Sequence, residues 1–428
     1  MSDGLSSAIA HLYRRAGFGA GPDEVAAGVV RGYEATVELL LAGLSGPDPA
    51  GDAVPRPALA APAAGGGDPQ SRTGQRQELL ALQQWWLERM VVTATPLREK
   101  LTLLWHGHFA TGARKVRDAG YMYRQNELFR SLGGGSFEAL VQALARDPAM
   151  LIWLDARSDV AAHPNENFAR ELMELFTLGL GNYSEDDVRA AARCFTGWGF
   201  DPASGAFVER ARRHDSGVKT FLGRSGDFDG GDVVSIVTHQ PASARWVTAR
   251  LWSHLAYPVA AGDPRLDALA AGYARDLDVT GLLRAILLHP EFGGPTARAG
   301  LVKQPVEYVV GAVRAFGLHT GDFDVRPTLG ALNQVLFDPP SVGGWGQNGY
   351  WLDTATAEVR LRFGTALARR ADLAWLAAHP PAGRLDALAG HLSIDGWGPT
   401  SAAALEPLAA DPTRLVAVAL SAPEYVLN

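Results

Sequence analysis

The chain has 428 residues, of which 47% are hydrophobic and 20% charged, and its formal net charge is -7. This composition is typical of a folded globular protein with a sizeable core, and no cluster of Lys and Arg among aromatic residues favours a nucleic-acid partner. The single cysteine, Cys194, excludes an intrachain disulfide framework and a thiolate zinc cage, so any bound metal must use histidine and carboxylate ligands.

Three parts follow one another along the chain. Residues 1–44 are predicted to form an N-terminal helical segment, and residues 45–75, which are rich in Pro, Ala and Gly, a linker or mobile loop. Residues 76–428 carry apolar residues at spacings of three and four, which predicts a helical core. Pro96 is expected to begin the second helix of a pair at the start of this core, because proline suits the first turn of a helix.

Helical periodicity continues through most of the core. It predicts further helices at 119–133, 136–146, 165–179, 184–195, 242–256, 265–275, 279–288, 304–317, 326–336, 357–378, 383–391 and 400–423. Weak strand patterns at 205–210 and 218–222 predict a small hairpin, and long polar loops are expected at 197–232 and 337–354. The expected fold is mainly α: a single large multi-helical domain with long polar loops and at most a small β-hairpin.

The sequence also bears on location. No stretch of about 20 uninterrupted apolar residues occurs, which predicts no membrane-spanning helix. The N-terminal residues lack a long apolar segment with a cleavage site. We therefore expect a cytoplasmic protein without a membrane partner.

The first candidate motif is His106-Gly107-His108, which follows an amphipathic run. Residues two apart on a continuous helix point about 200° away from each other, so the two imidazoles could not share a ligand there. Gly107 is expected to end the helix and turn His108 towards the cavity of His106. The alternative is a helix C-terminus at which the imidazoles meet the helix dipole.

The second motif lies on the predicted helix 165–179. Glu166, Arg170 and Glu174 fall at spacings of four, and Glu171 lies beside Arg170. Burial of a carboxylate costs several kcal/mol unless it is paired or bound to a metal. Either Arg170 pairs these acids, or Glu171 and Glu174 help to form a metal site on the helix wall.

Two loops supply the remaining candidates. His214 and Asp215 open a polar, glycine-rich stretch that includes Lys219, a composition suited to a loop beside a ligand or to a solvated loop. Residues 336–353 combine prolines and glycines with three flat side chains that could wall a small-molecule pocket or plug a gap between helices: Trp345, Tyr350 and Trp351.

Taken together, these stretches resemble a known family. "HLYRRAGFGA", "REKLTLLWHGHFAT", "NENFARELMELFTLGLGNY", "HDSGVKTFLG" and "LFDPPSVGGWGQNGYWL" are similar, in this order, to the large bacterial family called domain of unknown function 1800. The resemblance covers roughly residues 8–427 and implies a single family unit. The pattern it implies includes His106, His108, the Arg-Glu pair at 170–171 and the His-Asp pair at 214–215. Two departures stand out, Phe176 in place of a histidine and the stretch 156–163.

The leading hypothesis is a metal-dependent enzyme, a non-haem metal oxidoreductase acting on a small-molecule substrate, or a hydrolase with the same centre. Histidine and carboxylate ligands without thiolates suit iron, manganese or zinc. The proposed sets are metal ligands His106, His108, Glu171 and His214; catalytic residues Glu171, Glu174, Asp215 and Lys219; orienting residues Glu166 and Arg170; and substrate-binding residues Trp345, Tyr350 and Trp351.

Two alternatives stay open. A non-catalytic binding or assembly protein would use Arg14, Arg15, Arg170 and Lys219 to neutralise the acids without any metal. A haem protein is also possible, because the absence of a Cys-x-x-Cys-His motif excludes only covalent haem attachment.

Overall fold

The computed structural model describes residues 2–60, 69–156 and 159–428. The N-terminal part forms a series of helices, α1 (Ser2–Ala16), α2 (Pro22–Arg31), α3 (Tyr33–Ala42), α4 (Pro49–Asp52), α5 (Pro69–Val92) and α6 (Pro96–His108). Pro96 stands at the start of α6, as predicted, because its missing N–H has no partner in the first turn of any helix.

The prediction of a linker or mobile loop over residues 45–75 is wrong at both ends of this range, where the chain is helical. It contains α4 and the beginning of α5, while residues 61–68 lie outside the described residues. Asp48 caps α4, and its buried carboxylate accepts a 2.7 Å hydrogen bond from Thr93 Oγ1 and a 3.0 Å bond from the Ala94 N–H. The segment before residue 61 is therefore anchored to the end of α5 by a buried polar contact, which composition does not reveal.

The middle of the chain is also helical. It comprises α7 (Ala113–Val116), α8 (Ala119–Leu132), α9 (Phe137–Ala145), α10 (Pro148–Trp153), α11 (Glu166–Glu171), a π-helix (Leu172–Thr177) and α12 (Glu185–Phe195). Ser184 caps α12 through a reciprocal pair of hydrogen bonds with Asp187, a stabilising arrangement at a helix start. Of the departing stretch 156–163, residues 157 and 158 lie outside the described part of the chain.

Four short strands interrupt the helices. They are β1 (Trp198–Phe200), β2 (Phe207–Glu209), β3 (Lys219–Phe221) and β4 (Arg224–Gly226). β1 pairs antiparallel with β2, placing Gly199 opposite Val208, and β3 pairs antiparallel with β4, placing Thr220 opposite Ser225. The two predicted strand segments thus belong to separate two-stranded sheets and do not form one hairpin with each other.

The C-terminal half completes the helical fold. Its α-helices are α13 (Gly230–Thr238), α14 (Pro241–Leu255), α15 (Asp267–Tyr273), α16 (Val279–Leu287), α17 (Pro295–Arg298), α18 (Pro305–Ala315), α19 (Arg326–Ala331), α20 (Thr354–Ala368), α21 (Ala374–Ala377), α22 (Arg384–His391), α23 (Pro399–Leu405), α24 (Pro412–Ala419) and α25 (Pro423–Val426). The 3-10 helices are Ala211–Arg213, Pro264–Leu266, Pro290–Gly293, Asn348–Trp351, Pro381–Gly383 and Glu406–Leu408. The long helices predicted at 357–378 and 400–423 are broken, the second at Pro407 and Pro412, which lack the N–H that a continuous helix needs.

One hydrophobic core joins these elements from Ile9 to Val426, so the fold is a mainly α single domain. α6 runs through it and is buried on all sides, including Leu103, Leu104 and Trp105. The burial of α6 on all sides, including polar residues such as Glu99 and Lys100, places its two histidines in the interior. Across the described chain, no helix is long and apolar enough to cross a membrane.

Candidate functional site

The two histidines of α6 face different neighbours. Gly107 does not end the helix, because α6 continues through His108 and the Phe109 N–H donates to the Trp105 carbonyl at 2.8 Å. The expectation that the glycine turns both imidazoles towards one cavity is therefore wrong. The ideal helical geometry, which separates residues two apart, prevails.

His106 faces the loop of residues 336–353, which we call the tryptophan loop because it carries Trp345 and Trp351. The Phe337 N–H donates to its Nε2 at 3.0 Å, and its ring centroid lies 5.4 Å from that of Trp345. In the same loop Gly344 has a φ of 77°, and a Cβ there would stand 2.1 Å from the Gly107 carbonyl oxygen. The structure thus brings the histidine motif and the tryptophan loop together.

His108 faces the π-helix instead. Its Nε2–H donates to the Phe176 carbonyl at 2.9 Å, which leaves the buried Nδ1 without a hydrogen-bond partner in the described structure. Burial, with the charge of Arg250 adding to it, lowers the pKa of His108 to about 3. The residue where the family resemblance expects a histidine therefore contacts His108 through its main chain.

The acidic candidate residues on α11 and the π-helix contact residues other than the two histidines. Arg170 pairs with Glu185 through two hydrogen bonds of 2.7 and 2.8 Å and with Glu166 at 3.3 Å. Glu174 accepts a 2.9 Å hydrogen bond from the Tyr183 hydroxyl. Burial, followed by the charge of Glu174, raises the pKa of Glu171.

The polar loop after β2 is organised around its own ion pairs. His214 Nδ1 donates to the Thr196 carbonyl at 2.9 Å, and Asp215 binds Arg193 at 2.7 and 3.1 Å. The hydrogen bond from Arg193 lowers the pKa of Asp215 to about 2.

Lys219 is 1% exposed and is held by its neighbours at the start of the next helix. It donates to Asp227 Oδ1 and to the Phe228 carbonyl, both at 2.9 Å. His214, Asp215 and Lys219, the three candidate residues of this loop, thus each make hydrogen bonds or ion pairs within the protein.

These positions do not form the predicted metal centre. Within residues 2–60, 69–156 and 159–428, no three His, Cys, Asp or Glu side chains are grouped so as to hold a metal ion. His106 and His108 point to opposite sides of α6, and His214 binds the main chain at Thr196. The proposed ligand set of His106, His108, Glu171 and His214 therefore does not fit a shared metal.

A cleft that is partly open to solvent lies where α6, α14, the segment before α18 and the tryptophan loop meet. Polar and aromatic side chains converge on it from these four elements. They are Arg250, Ser253, His254, Gln304, Glu307, Trp345, Gln347, Asn348 and Trp351, with Gly107 beside them. Of the three predicted substrate-binding residues, Trp345 and Trp351 line this cleft, while Tyr350 is 50% exposed and packs edge-on against Trp351.

Arg250 is the most unusual of the lining residues. In the described structure its guanidinium has no ion-pair partner, and its buried Nε has no hydrogen-bond acceptor. The central carbon of the guanidinium lies 5.7 Å from the centroid of the Trp246 ring. Burial lowers the pKa of Arg250, which reflects the cost of a charge without a counter-ion.

His254 lies one turn further along α14. Gln347 Nε2 lies 2.7 Å from His254 Nε2 and donates to it, so the imidazole keeps its proton on Nδ1. Burial lowers the pKa of His254 well below its ordinary value, and the charge of Arg250 adds to this effect. His254 is consequently a neutral imidazole on the wall of the cleft.

The carboxylate at the cleft is already neutralised. Glu307 binds Lys100 Nζ at 2.6 Å and accepts a 2.7 Å hydrogen bond from Gln304 Nε2. Gln334 in turn donates to Gln304 Oε1 at 2.6 Å. The cleft therefore offers a fixed polar network on one side and the unpaired charge of Arg250 on the other.

A family model described as "Protein of unknown function (DUF1800)" matches residues 11–427 of the chain. The chain belongs to this family. No curated protein and no solved structure matched it. The match confirms the resemblance drawn from the sequence, and it spans all four sides of the cleft.

Sequence reasoning about this DUF1800 chain missed Arg250, Ser253 and His254. A signal for two of them was present, because Arg250 and His254 are four residues apart on a helix whose neighbouring positions, such as Leu251 and Leu255, are apolar. A cation and an imidazole on one buried helical face are rare without a partner. Both residues lie on a helix, outside the polar loops that supplied most of the candidate residues.

The buried imidazoles predict a measurable pH dependence of stability. Burial lowers the pKa of His106 to about 3, so between that pH and the unfolded value of 6.5 the unfolded chain binds one more proton. The contribution of the neutral His106 ring to the free energy of unfolding is complete above pH 6.5 and is lost as the pH falls. We expect His106→Gln to make the free energy of unfolding less pH-dependent between pH 6 and 4.5, by about 1.4 kcal/mol per pH unit.

Urea unfolding at a series of pH values measures this change, and His163→Gln, at an exposed position, controls for the loss of an imidazole as such. An unchanged slope in the His106 variant would contradict the assignment of a neutral, buried ring.

Proposed function

We propose that this DUF1800 protein binds a small organic anion with a flat apolar body in the cleft between α6, α14 and the tryptophan loop. The observation that carries the proposal is Arg250, a largely buried guanidinium on the wall of the cleft that has no counter-ion among the described residues. An anionic group of the ligand, a carboxylate or a phosphate, would supply the missing charge.

Electrostatics favours an anion at this position. A buried charge without a partner costs several kcal/mol, and a charge-assisted hydrogen bond recovers part of that cost. The carboxylate of Glu307 is bound to Lys100 and is not available to Arg250. A guanidinium also presents parallel N–H groups that match the two oxygens of a carboxylate.

The rest of the cleft suits the body of such a ligand. Trp345 and Trp351 provide flat apolar surfaces, while Ser253, Gln347 and Asn348 provide hydrogen-bonding groups. Small-molecule sites commonly combine an apolar wall with a few fixed polar groups.

His254 adds acid–base capacity to the proposal. The charge of Arg250 helps to hold the pKa of His254 down, so an anion that neutralises this charge raises that pKa again. His254 is the group we assign to proton transfer with the bound molecule.

Thermal unfolding with benzoate, and with benzamide as its uncharged counterpart, tests the binding proposal. We expect benzoate to stabilise the wild-type protein more than benzamide does, and Arg250→Met to weaken benzoate binding about 10- to 100-fold. Without ligand, Arg250→Met should raise the stability by about 1 kcal/mol, because an unpaired buried charge is removed.

Arg245→Met is the matched control. Arg245 lies on the same helix but is exposed, 3.8 Å from Asp267, and its replacement should leave benzoate binding unchanged. Equal responses to benzoate in the Arg250 and Arg245 variants would contradict the proposal.

The metal-dependent oxidoreductase and its hydrolase alternative stay predictions, as do the haem protein and the cytoplasmic location. We derive no step through a metal, because the predicted ligands do not fit one. Elemental analysis of untagged protein, together with thermal unfolding in chelator, tests the metal hypothesis. Stoichiometric iron, manganese or zinc would support it, and its absence with unchanged stability would contradict it.

A further inference from the structure

A second cavity lies on another side of the segment that precedes α18. Its empty volume is about 590 Å³, and its charged lining residues are Arg14, Glu24, Lys303 and Arg314. The apolar part of the wall comes from residues such as Phe18 and Tyr425. None of these side chains belongs to the cleft of Arg250, so the cavity is a separate feature of the fold.

Lys303 is the residue that distinguishes this cavity. It is 6% exposed, and in the part of the chain that the structure describes its Nζ has neither an ion-pair partner nor a hydrogen-bond acceptor. The Nζ lies 3.6 Å from the centroid of the Tyr425 ring, an attraction that offsets only part of the cost of burying a charge. The lysine is therefore an unpartnered group, more than nine-tenths buried, on the wall of a cavity.

The surroundings of Lys303 are electropositive. Arg14 donates to the Ser393 carbonyl and lies 3.9 Å from Asp395, while Arg15 donates to the carbonyl oxygens of Ala297 and Asn428. Both arginines are at most 5% exposed.

Lys100 adds a further cation, but its charge is matched by Glu307 at 2.6 Å. Burial lowers the pKa of Lys303 well below its ordinary value; the charge of Arg14 adds to this effect and that of Glu307 opposes it.

The remaining titratable groups of the wall do not neutralise Lys303. Arg314 donates to the carbonyls of Met90, Val91 and Thr93, and the negative charges of Glu24 and Asp48 act on it without forming an ion pair within the described residues. His391 also lines the cavity, and burial lowers its pKa, which keeps the ring neutral. Glu24 is the acid among the lining residues; it is exposed and accepts the Gly21 N–H at 2.9 Å.

We propose that this cavity is a binding site for a tetrahedral oxyanion, phosphate or the phosphate group of a small metabolite, held by Lys303 and Arg14. An ion with about two negative charges would match the cations that converge here and would provide the acceptor that Lys303 lacks. The site is independent of the proposed function of the first cleft, since it shares no charged side chain with it.

Anomalous diffraction from crystals grown with selenate tests the site without any substitution. We expect a selenium peak within about 4 Å of Lys303 Nζ and the Arg14 guanidinium, so that the selenate oxygens accept hydrogen bonds from both groups. The absence of a peak at this cavity at saturating selenate would overturn the proposal, whatever is found at Arg250.

Thermal unfolding with inorganic phosphate provides the solution test, with chloride at equal ionic strength as the reference. Arg245→Met, at an exposed position that lines neither cavity, should keep the phosphate-dependent rise in melting temperature, whereas Lys303→Met should lose at least half of it. Lys303→Gln serves in the same role if the methionine variant does not fold. Equal rises in the Arg245 and Lys303 variants would contradict the assignment.

Glycerol 3-phosphate separates the two possible sources of the oxyanion. If glycerol 3-phosphate raises the melting temperature more than inorganic phosphate does, and the Lys303 variant loses this rise, the site is assigned to a phosphorylated metabolite. A larger rise with inorganic phosphate assigns it to the free ion.

Discussion

Replacement of Gly344 by alanine is expected to displace the tryptophan loop from α6 and to abolish benzoate binding in the cleft. Gly344 has a φ of 77°, a backbone conformation that costs an alanine about 1–2 kcal/mol. The added Cβ would also lie 2.1 Å from the Gly107 carbonyl oxygen, and main-chain atoms cannot move aside cheaply. We expect a total loss of about 3 kcal/mol or more in the free energy of unfolding.

Gly343→Ala is the matched control for this substitution. A Cβ at Gly343 would lie 3.6 Å from Ser341 Oγ, an ordinary contact distance. The neighbouring variant should therefore bind benzoate and unfold as the wild type does. Similar behaviour of the two variants in urea unfolding and ligand titration would show that contact between the loop and Gly107 does not shape the cleft.

Replacement of Glu99 by glutamine is expected to cause the largest loss of stability of any single charge removal we consider. Glu99 is completely buried and accepts hydrogen bonds from Arg89 Nε at 2.8 Å and Arg130 Nε at 2.6 Å. Burial alone raises the pKa of Glu99, but the charges of Arg130 and Arg89 outweigh this effect and hold the pKa below its ordinary value. Loss of this carboxylate leaves two buried guanidinium groups partly uncompensated, which should cost about 3–5 kcal/mol.

Glu127→Gln controls for the loss of a carboxylate beside Arg130. Glu127 also pairs with Arg130, but its side chain is 41% exposed, and exposed ion pairs contribute about 1 kcal/mol or less. Urea unfolding of both variants measures the difference. A loss below about 1 kcal/mol for Glu99→Gln would contradict a central role of this cluster in the fold.

The sequence was informative about local structure. Pro96 and Ser184 mark helix starts because the chemistry of a first turn depends on adjacent residues alone. The mainly α fold followed from hydrophobic periodicity. The segment around Asp48 was misread because the partners that bury its carboxylate, Thr93 and Ala94, lie some 45 residues further along the chain.

The site was only partly predictable, because long-range pairing decides which polar residues are free. His106 and Trp345 lie with their ring centroids 5.4 Å apart, so the structure brings two of the candidate motifs together. Asp215, by contrast, is bound by Arg193, a partner that no local pattern identifies. The guanidinium left without a partner, Arg250, lies on a helix that looked structural.

The Gly107 prediction failed for a physical reason as well. A glycine can end a helix, but it also permits another chain to approach closely. At Gly107 neither property is required: the helix continues, and a Cβ there would lie 3.7 Å from Trp345 Cε3, an ordinary contact distance. The close approach depends on Gly344, whose missing Cβ lets the loop pack against the Gly107 carbonyl. The two histidines flank a close contact between the α6 backbone and the loop that forms one wall of the cleft.

The central claim is that Arg250 holds an anion in this cleft, and diffraction from crystals soaked in 4-bromobenzoate tests it most directly. The account predicts an anomalous bromine peak beside Trp345 and Trp351, with the carboxylate bound to the Arg250 guanidinium, and no peak there in Arg250→Met crystals. A carboxylate bound elsewhere, or an empty cleft at saturating ligand, would contradict it.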